Sequence, residues 1–375
     1  MKHIILLLCL LALLSLSGYA ASPQVIQSEK ITFALEKVAD GLGIPWGMAF
    51  ISDTRMLITE RQGSIKLFDT QRKSLTEVQG APAVLAEGQG GLLVVAVPAD
   101  FTAGDWIYFT FVRDKDGEGV TVLARAKLAS NKMVQWQDLL ETRSATGTGR
   151  HFGSRIAFDE KGYVYFGVGD RGERPSSQDL TNHAGSIMRL HRDGRVPQDN
   201  PFNRRTDVPP EIWSYGHRNP QGMAYDDTSK RLWLIEHGPR GGDEINRVLP
   251  GRNYGWPVIS YGKEYWGPLA VGEGTHREGM EQPVKQYTPS IAPGSLLLYT
   301  GDAFPDWHGN LFTGALKLQH LNRVTLSADG KAIGEERLLK ELDERIRALT
   351  QSPQGWLYFS TDSGKIYVIK PEGKQ

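Results

Sequence analysis

His151, Asp170 and Arg218 carry the side chains best suited in this sequence to take up a proton beside a developing negative charge. His151 stands in GRHFGSR (Gly149–Arg155), directly before the apolar stretch IAF. Asp170 closes FGVGD, and Arg218 and Asn219 lie in GHRNPQG (Gly216–Gly222), directly before MAY. An imidazole accepts protons near neutral pH, and a carboxylate on its other nitrogen fixes the tautomer and raises the basicity. An antiparallel return from IAF to FGVGD would place the Asp170 carboxylate beside the His151 ring. Taken singly, each residue has a plainer explanation: a hydrogen-bonded structural histidine, a turn aspartate in DRG, a solvated arginine. The combination is what points to chemistry.

Further polar residues recur at comparable places. Gln89 lies in GQGG before LLVVAV, Lys317 in GALKLQHL, and Arg345 and Arg347 in ERIRAL. Unpaired cations gathered in one place repel each other and lose hydration. If Arg218, Lys317, Arg345 and Arg347 converge, they imply a polyanionic ligand such as a multi-carboxylate cofactor. The stretch EHGPRGGDEINRVLPGRNYGWP (Glu236–Pro257) adds a glycine-rich loop with Asp243 and Glu244. Backbone carbonyls and carboxylates of such a loop are hard oxygen donors suited to calcium, although the spacing is not that of an EF-hand.

The elements that must position these residues are strands. Short β-rich runs, each ended by Gly, Asp or Asn turn chemistry, replace helical periodicity after the first twenty residues. Units starting at Trp46, Gly90, Arg155, Gly222, Asn310 and Arg347 share a pattern of strand, turn and apolar or aromatic-rich strand. A spacing of roughly 45 to 75 residues is in the range of propeller blades with loop insertions. The expected fold is all-β: a six-bladed β-propeller of four-stranded antiparallel blades, closed by ITFALEKVA (Ile31–Ala39) in the last blade. A pair of β-sandwiches is the competing arrangement, which six similar units disfavour. Gln89, His151, Arg218, Asn219, Lys317, Arg345 and Arg347 would then meet at one channel mouth. The long segments Asp170–Ala184, Gln198–Pro210 and Tyr261–Pro293 are expected as loops on that mouth.

The bulk composition is that of an ordinary globular chain of 375 residues, with 43 basic and 43 acidic residues and no formal net charge. It carries no basic footprint for nucleic acid. The opening MKHIILLLCLLALLSLSGYA has a basic start, an apolar run and a small-residue end, the pattern of a secretory signal peptide cut at Ala20–Ala21. The competing reading, an uncleaved anchor, would need a longer apolar run. Cys9, the only cysteine, lies in this segment without lipobox-like residues before it, so the mature chain holds no disulfide or thiolate metal site. The reading is a soluble protein, periplasmic or secreted, with residues 21–375 forming a single domain and no membrane insertion.

EGQGGLL, GRHFGSRIAF, GVGDRGERPSSQDL, YGHRNPQG, EHGPRGGDEIN and NYGWP, with Lys317, Arg345 and Arg347, resemble the soluble quinoprotein glucose and sorbosone dehydrogenase family, especially its bacterial aldose sugar dehydrogenase branch. The resemblance runs from about Gly41 to Pro371. It implies a six-bladed propeller with pyrroloquinoline quinone (PQQ) and calcium in the channel mouth. His151 then matches the general base, Asp170 its orienting partner, and Arg218 the group that polarises the quinone carbonyl. Gln89, Asn219, Lys317, Arg345 and Arg347 match cofactor contacts. The main-chain oxygens of Gly238 and Pro239 match ligands of the cofactor's calcium, and Glu244 and Tyr254 match a further calcium site. Pro220 is expected to end its turn and hold Arg218 and Asn219 toward the quinone. The chain lacks the long insertions of the glucose-specific members, which argues for broader aldose use and for a monomer. The implied reaction oxidises the C1 hydroxyl of an aldose to a lactone and passes electrons to an external acceptor. A calcium-dependent lactonase or esterase on the same fold, or a non-catalytic binding scaffold, is the alternative, since one fold hosts many functions.

Overall fold

The computed structural model describes residues 23–374. The expected signal segment, with Cys9 and the Ala20–Ala21 cut, lies outside the described residues. Six antiparallel sheets follow one another along the chain and close into a ring. Their innermost strands are Pro45–Phe50, Leu92–Ala96, Ile156–Phe158, Pro220–Asp226, Leu297–Leu298 and Ile346–Gln351. Each of the six predicted units supplies one blade. The strand Thr32–Ala39 pairs with Ile366–Pro371 and closes the ring as expected, and Gln24–Gln27 adds an unforeseen fifth strand outside it.

The core is divided among the junctions between blades. Six apolar clusters occupy the six junctions. Alternation along a strand serves two of them at once: Phe109 packs toward the first blade while Tyr108 packs toward the third. Successive side chains point to opposite faces of a sheet, so a blade buried on both faces needs apolar residues at nearly every position. The junction between the fifth and sixth blades is the most aromatic, with Trp307 against Phe33, Phe304 and Phe312 at centroid distances of 5.6, 4.8 and 5.1 Å.

Strand polarity positions the site. The loop entering an inner strand lies at the same end of its blade as the turn between the second and third strands. Loop residues 88–91, 149–155 and 216–219 enter inner strands, whereas Asp170, Gly238, Lys317 and Asp362 lie in second-to-third turns. All therefore share one face. The same parity corrects one expectation: Gln198–Pro210 joins the third strand of its blade to the fourth, so it lies at the opposite end from His151. Arg189 holds that loop through Asn200 and Asp199. Tyr261–Pro293 does reach the mouth, and it contains the short strand Lys285–Tyr287. Across the channel, buried Arg155 donates to the carbonyls of Gln221, Trp46 and Gly294 at 2.8, 3.0 and 2.5 Å, tying its own blade to three other parts of the ring. Among the described residues no helix is long and apolar enough to cross a membrane.

Candidate functional site

His151 and Asp170 meet as the antiparallel return requires. His151 Nδ1 lies 2.6 Å from Asp170 Oδ1, and Asp170 also accepts from the Gly172 N–H at 2.7 Å and from Trp256 Nε1 at 2.8 Å. Gly169 makes the approach possible, because a Cβ there would meet the carbonyl oxygens of His151 at 2.5 Å and Arg218 at 2.8 Å. Burial pushes the Asp170 carboxyl up, but the bonds from His151 and Gly172 and the nearby Arg218 outweigh it and leave it below the usual range. An ionised carboxylate only accepts, so Nδ1 carries the proton and Nε2 presents a lone pair. Burial, more than Arg218, draws the His151 pKa below that of a free histidine, against the pull of Asp170. The ring is therefore neutral at neutral pH and able to take a proton.

Gln89 supports this histidine directly. Its side-chain oxygen accepts the His151 backbone N–H at 2.8 Å, where His151 adopts a left-handed φ of 57°. Its amide nitrogen has no partner among the described residues and remains available to a ligand.

Arg218 is built into the same wall. Its N–H donates to Glu236 Oε2 at 2.6 Å, and its carbonyl accepts from the Asp170 N–H at 2.8 Å. The guanidinium donates to the carbonyls of His237 and Gly238 at 3.1 and 3.2 Å, and lies 3.4 Å from the Tyr265 hydroxyl. It forms no ion pair among the described residues, so its charge remains for a ligand, and its Nε is buried without a partner. Pro220 opens the inner strand, and the Asn219 carbonyl accepts from the His237 N–H at 3.1 Å, which fixes the turn carrying both polar residues.

The other cations are paired in a way the sequence reading did not foresee. Arg345 Nε and Arg347 Nε bond the two oxygens of Asp362 at 2.8 Å each. Burial raises the Asp362 carboxyl, yet the two arginines bring it below its ordinary value. Arg345 also donates to the Leu316 carbonyl at 2.9 Å, next to Lys317, and Arg347 lies 4.2 Å over the Trp46 ring. Lys317 is exposed and has no ion pair among the described residues. His237 reports the convergence of the two groups: burial first, then Arg218, His151 and Arg347, lower its pKa to about 3. Its Nε2 bonds the Pro293 carbonyl at 2.7 Å. One carboxylate for two arginines, with Lys317 beside them unpaired among the described residues, leaves excess positive charge on this side of the mouth, a setting that favours an anion.

Oxygen donors for a cation lie beside Arg218. The Gly238 carbonyl faces the guanidinium, and the Pro239 carbonyl accepts from the Lys263 N–H at 3.1 Å. A carbonyl has a second lone pair to offer, but these two bring no charge, so a divalent ion there needs a charged ligand of its own. Asp243 does not supply it, because Gly238, Ser290, Ile291 and Ala292 already occupy its carboxylate. A cavity of about 20 Å³ lies among Gly216, Glu236, Glu244, Tyr254, Trp256 and Ser260. Glu244 is driven up to about 8 by burial, then by Glu236 and Asp243, and Asn246 Nδ2 sits 3.2 Å from both glutamates. Paired carboxylates at an ion-sized void suit a cation, although no group of three or more His, Cys, Asp or Glu is gathered for one among the described residues. The Tyr254 hydroxyl is engaged with the Arg247 carbonyl at 2.5 Å and the Leu249 N–H at 2.8 Å, so only its main-chain oxygen is free to serve.

Asp362, Trp256 and Glu236 were missed as site residues. Asp362 had a signal: it follows FST at the end of its blade's second strand much as Asp170 follows FGVG. Trp256 and Glu236 stand in NYGWP and EHGPRGG, but neither motif signals a bond to Asp170 or to the Arg218 N–H.

A family model described as Glucose / Sorbosone dehydrogenase matches residues 42–369. Aldose sugar dehydrogenase YliI of Escherichia coli is 39% identical over 351 residues, covering 91% of this chain and 93% of that protein. The apo crystal structure of the soluble aldose sugar dehydrogenase from Escherichia coli superposes with a TM-score of 0.86 at 38% identity, covering 91% of this chain and all of that one. The PQQ-bound aldose sugar dehydrogenase from Streptomyces coelicolor superposes with a TM-score of 0.74 at 26% identity, covering 90% and 98% of the two chains. With a matched fold, a matched length and this family model spanning nearly all of the described blades, the chain belongs to the glucose/sorbosone dehydrogenase family.

Proposed function

We propose that this chain is an exported quinoprotein that oxidises the C1 hydroxyl of aldose sugars to lactones, using PQQ and calcium. The observation that carries the reading is the His151–Asp170 pair beside an arginine that has no ion-pair partner among the described residues. The family membership and the PQQ-bound relative from Streptomyces coelicolor support it.

The donor set fits the cofactor. Lys317, Arg345, Arg347 and Asn219 would hold its carboxylates, Gln89 its edge through the unpartnered amide, and Arg218 its reactive carbonyl. The carbonyls of Gly238 and Pro239 would hold its calcium, whose charge the quinone's carboxylates would balance; Glu244 and the Tyr254 main chain would hold a second ion. When bound, the quinone accepts hydride from C1, and calcium polarises its carbonyl. His151 Nε2 takes the C1 hydroxyl proton, with Asp170 holding the ring and stabilising the imidazolium that forms. Arg218 places fixed positive charge where negative charge develops, and its burial keeps that field unscreened. Tyr265 and Trp266, both largely exposed on the loop against Arg218, border the open side by which a sugar would enter. An external acceptor would have to take up the two electrons, with the protons released to solvent. Export after cleavage at Ala20–Ala21 and action as a monomer complete the reading.

The test is reconstitution. Protein from a quinone-free host should gain sugar-dependent dye reduction only with both PQQ and calcium. Full activity without quinone or in strong chelator, or calcium-dependent lactone hydrolysis without quinone, refutes the proposal.

A further inference from the structure

We propose that Arg171 is the positioning residue of the His151 loop: its guanidinium holds the backbone before the histidine and the Phe152 ring after it, so that the dipeptide Asp170–Arg171 fixes ring and loop together. Arg171 is fully buried yet forms no ion pair among the described residues. It donates to the carbonyl of Arg150, directly before His151, and to those of Thr148 at 3.0 Å and Gly119 at 3.1 Å. Its guanidinium stacks 3.6 Å from the centroid of Phe152, directly after His151. Thr148 returns a bond from its hydroxyl to the Arg171 carbonyl.

The loop needs such support. His151, Gly153 and Ser154 have φ of 57°, 63° and 90°, and Arg171 itself has 55°. Non-glycine residues hold left-handed conformations only when their surroundings over-determine them. Gln89 holds one point, the His151 N–H. Arg171 holds Thr148, Arg150 and Phe152, and through Gly119 it anchors them to the second blade. Gly119 leaves no slack, since a Cβ there would lie 2.9 Å from the Phe152 ring. A planar guanidinium can bond several carbonyls in fixed directions while lying flat on an aromatic ring; an ammonium has three donors but no plane to stack.

The proposal rests on the reading of His151 as the base, and the experiment separates the two. Arg171→Lys keeps the charge and loses the fork. Thr148→Val removes the returning bond, along with a 3.1 Å contact to the Thr146 hydroxyl, and serves if the lysine variant does not fold. In protein without quinone, the His151 Nδ1 proton bonded to Asp170 should appear as a downfield, exchange-protected NMR signal. In Arg171→Lys its exchange should accelerate about 10-fold or more, with a smaller change in the same direction in Thr148→Val. With PQQ and calcium at saturation, Arg171→Lys should lose about 10²-fold in kcat, as expected for a base displaced by about 1 Å, with PQQ affinity nearly unchanged. A folded variant that keeps the protected proton and wild-type kcat overturns the proposal. So does loss of thermal stability alone, with the proton signal intact. Loss of the protected proton with full kcat supports the positioning role and removes His151 as the base.

Discussion

Asp170→Asn is the most informative single change in the pair. Three donors converge on this carboxylate: His151 Nδ1 and the Gly172 N–H on Oδ1, and Trp256 Nε1 on Oδ2. An amide offers one oxygen and one donor group. If its oxygen takes the Oδ1 place, the NH₂ confronts the Trp256 N–H. If its oxygen takes the Oδ2 place, the NH₂ donates to His151 Nδ1 and forces the proton onto Nε2, the nitrogen that must accept. Either orientation leaves a buried donor unmet, at about 1–3 kcal/mol, and loses a bond to a charged group worth about 1.5–3 kcal/mol. Since the two losses share one site and do not add, the expected destabilisation is about 3 kcal/mol. Turnover should fall by roughly 10²–10⁴-fold, the range of a positioned base that has lost its tautomer or its oriented partner. The assay is dye reduction at saturating PQQ, calcium and sugar, with a PQQ titration alongside. Quinone affinity should hold, because Asp170 is turned toward His151 and Trp256. A folded Asp170→Asn protein with more than half the wild-type turnover would falsify the account of the pair.

Other outcomes follow from the same geometry. Because His151 is drawn below the ordinary histidine value by burial and Arg218, the base is active above that lowered pKa; kcat/KM should lose activity as pH falls through a midpoint below 6.5, read from a pH–rate profile. Lys317→Ala removes an exposed, unpaired ammonium, so PQQ titration should show about 10-fold weaker binding, near 1.4 kcal/mol, with turnover restored at high PQQ. Asp362→Ala leaves Arg345 and Arg347 without their shared anion and should lower apo stability by about 3 kcal/mol in denaturant melts, a loss that PQQ reverses to a greater extent than in the wild type. Glu244→Gln should abolish the part of the calcium-induced rise in Tm that survives in protein without quinone; an unchanged calcium response places that ion elsewhere.

Much of this architecture was legible because the pattern repeats. Each blade must bury both faces, so strands read as dense apolar runs between turn residues, and six such units stand out. The fifth blade was the least readable: its inner strand is only Leu297–Leu298, too short for a periodicity, and the recognisable stretch at Asn310 begins at the blade's second strand. His151 and Asp170 were legible because one hairpin separates them. Lys317 reached the mouth by a different route from the one expected, through a second-to-third turn and not an inner-strand entry. Gln198–Pro210 was assigned by length alone, whereas strand parity decides which end a loop occupies. Gln89 was read as a ligand contact, but half of its amide is committed to the His151 backbone. Trp256 and Arg171 act through contacts between neighbouring blades, and Glu236 through its own hairpin, none of which a residue pattern specifies.

The placing of carboxylates then separates two kinds of cation. Arg345 and Arg347 share Asp362, so they are held in place before any ligand arrives. Arg218 receives two neutral carbonyls and keeps its charge uncompensated. A carboxylate on Arg218 would secure it better, but would cancel the field that helps keep His151 unprotonated, and would set negative charge where the reaction develops its own. The one carboxylate beside the base, Asp170, approaches from the far side of the imidazole and accepts from Nδ1. It opposes the depression of the His151 pKa without satisfying Arg218. The ring is thus balanced between burial and a cation, which make it shed its proton, and an anion, which steadies it once it takes one. On the proposed reading, that balance lets His151 be neutral at rest while Asp170 stabilises the imidazolium it would become during turnover. It also explains why the loop that carries it is held from so many directions: a small displacement of the ring would change all three influences at once.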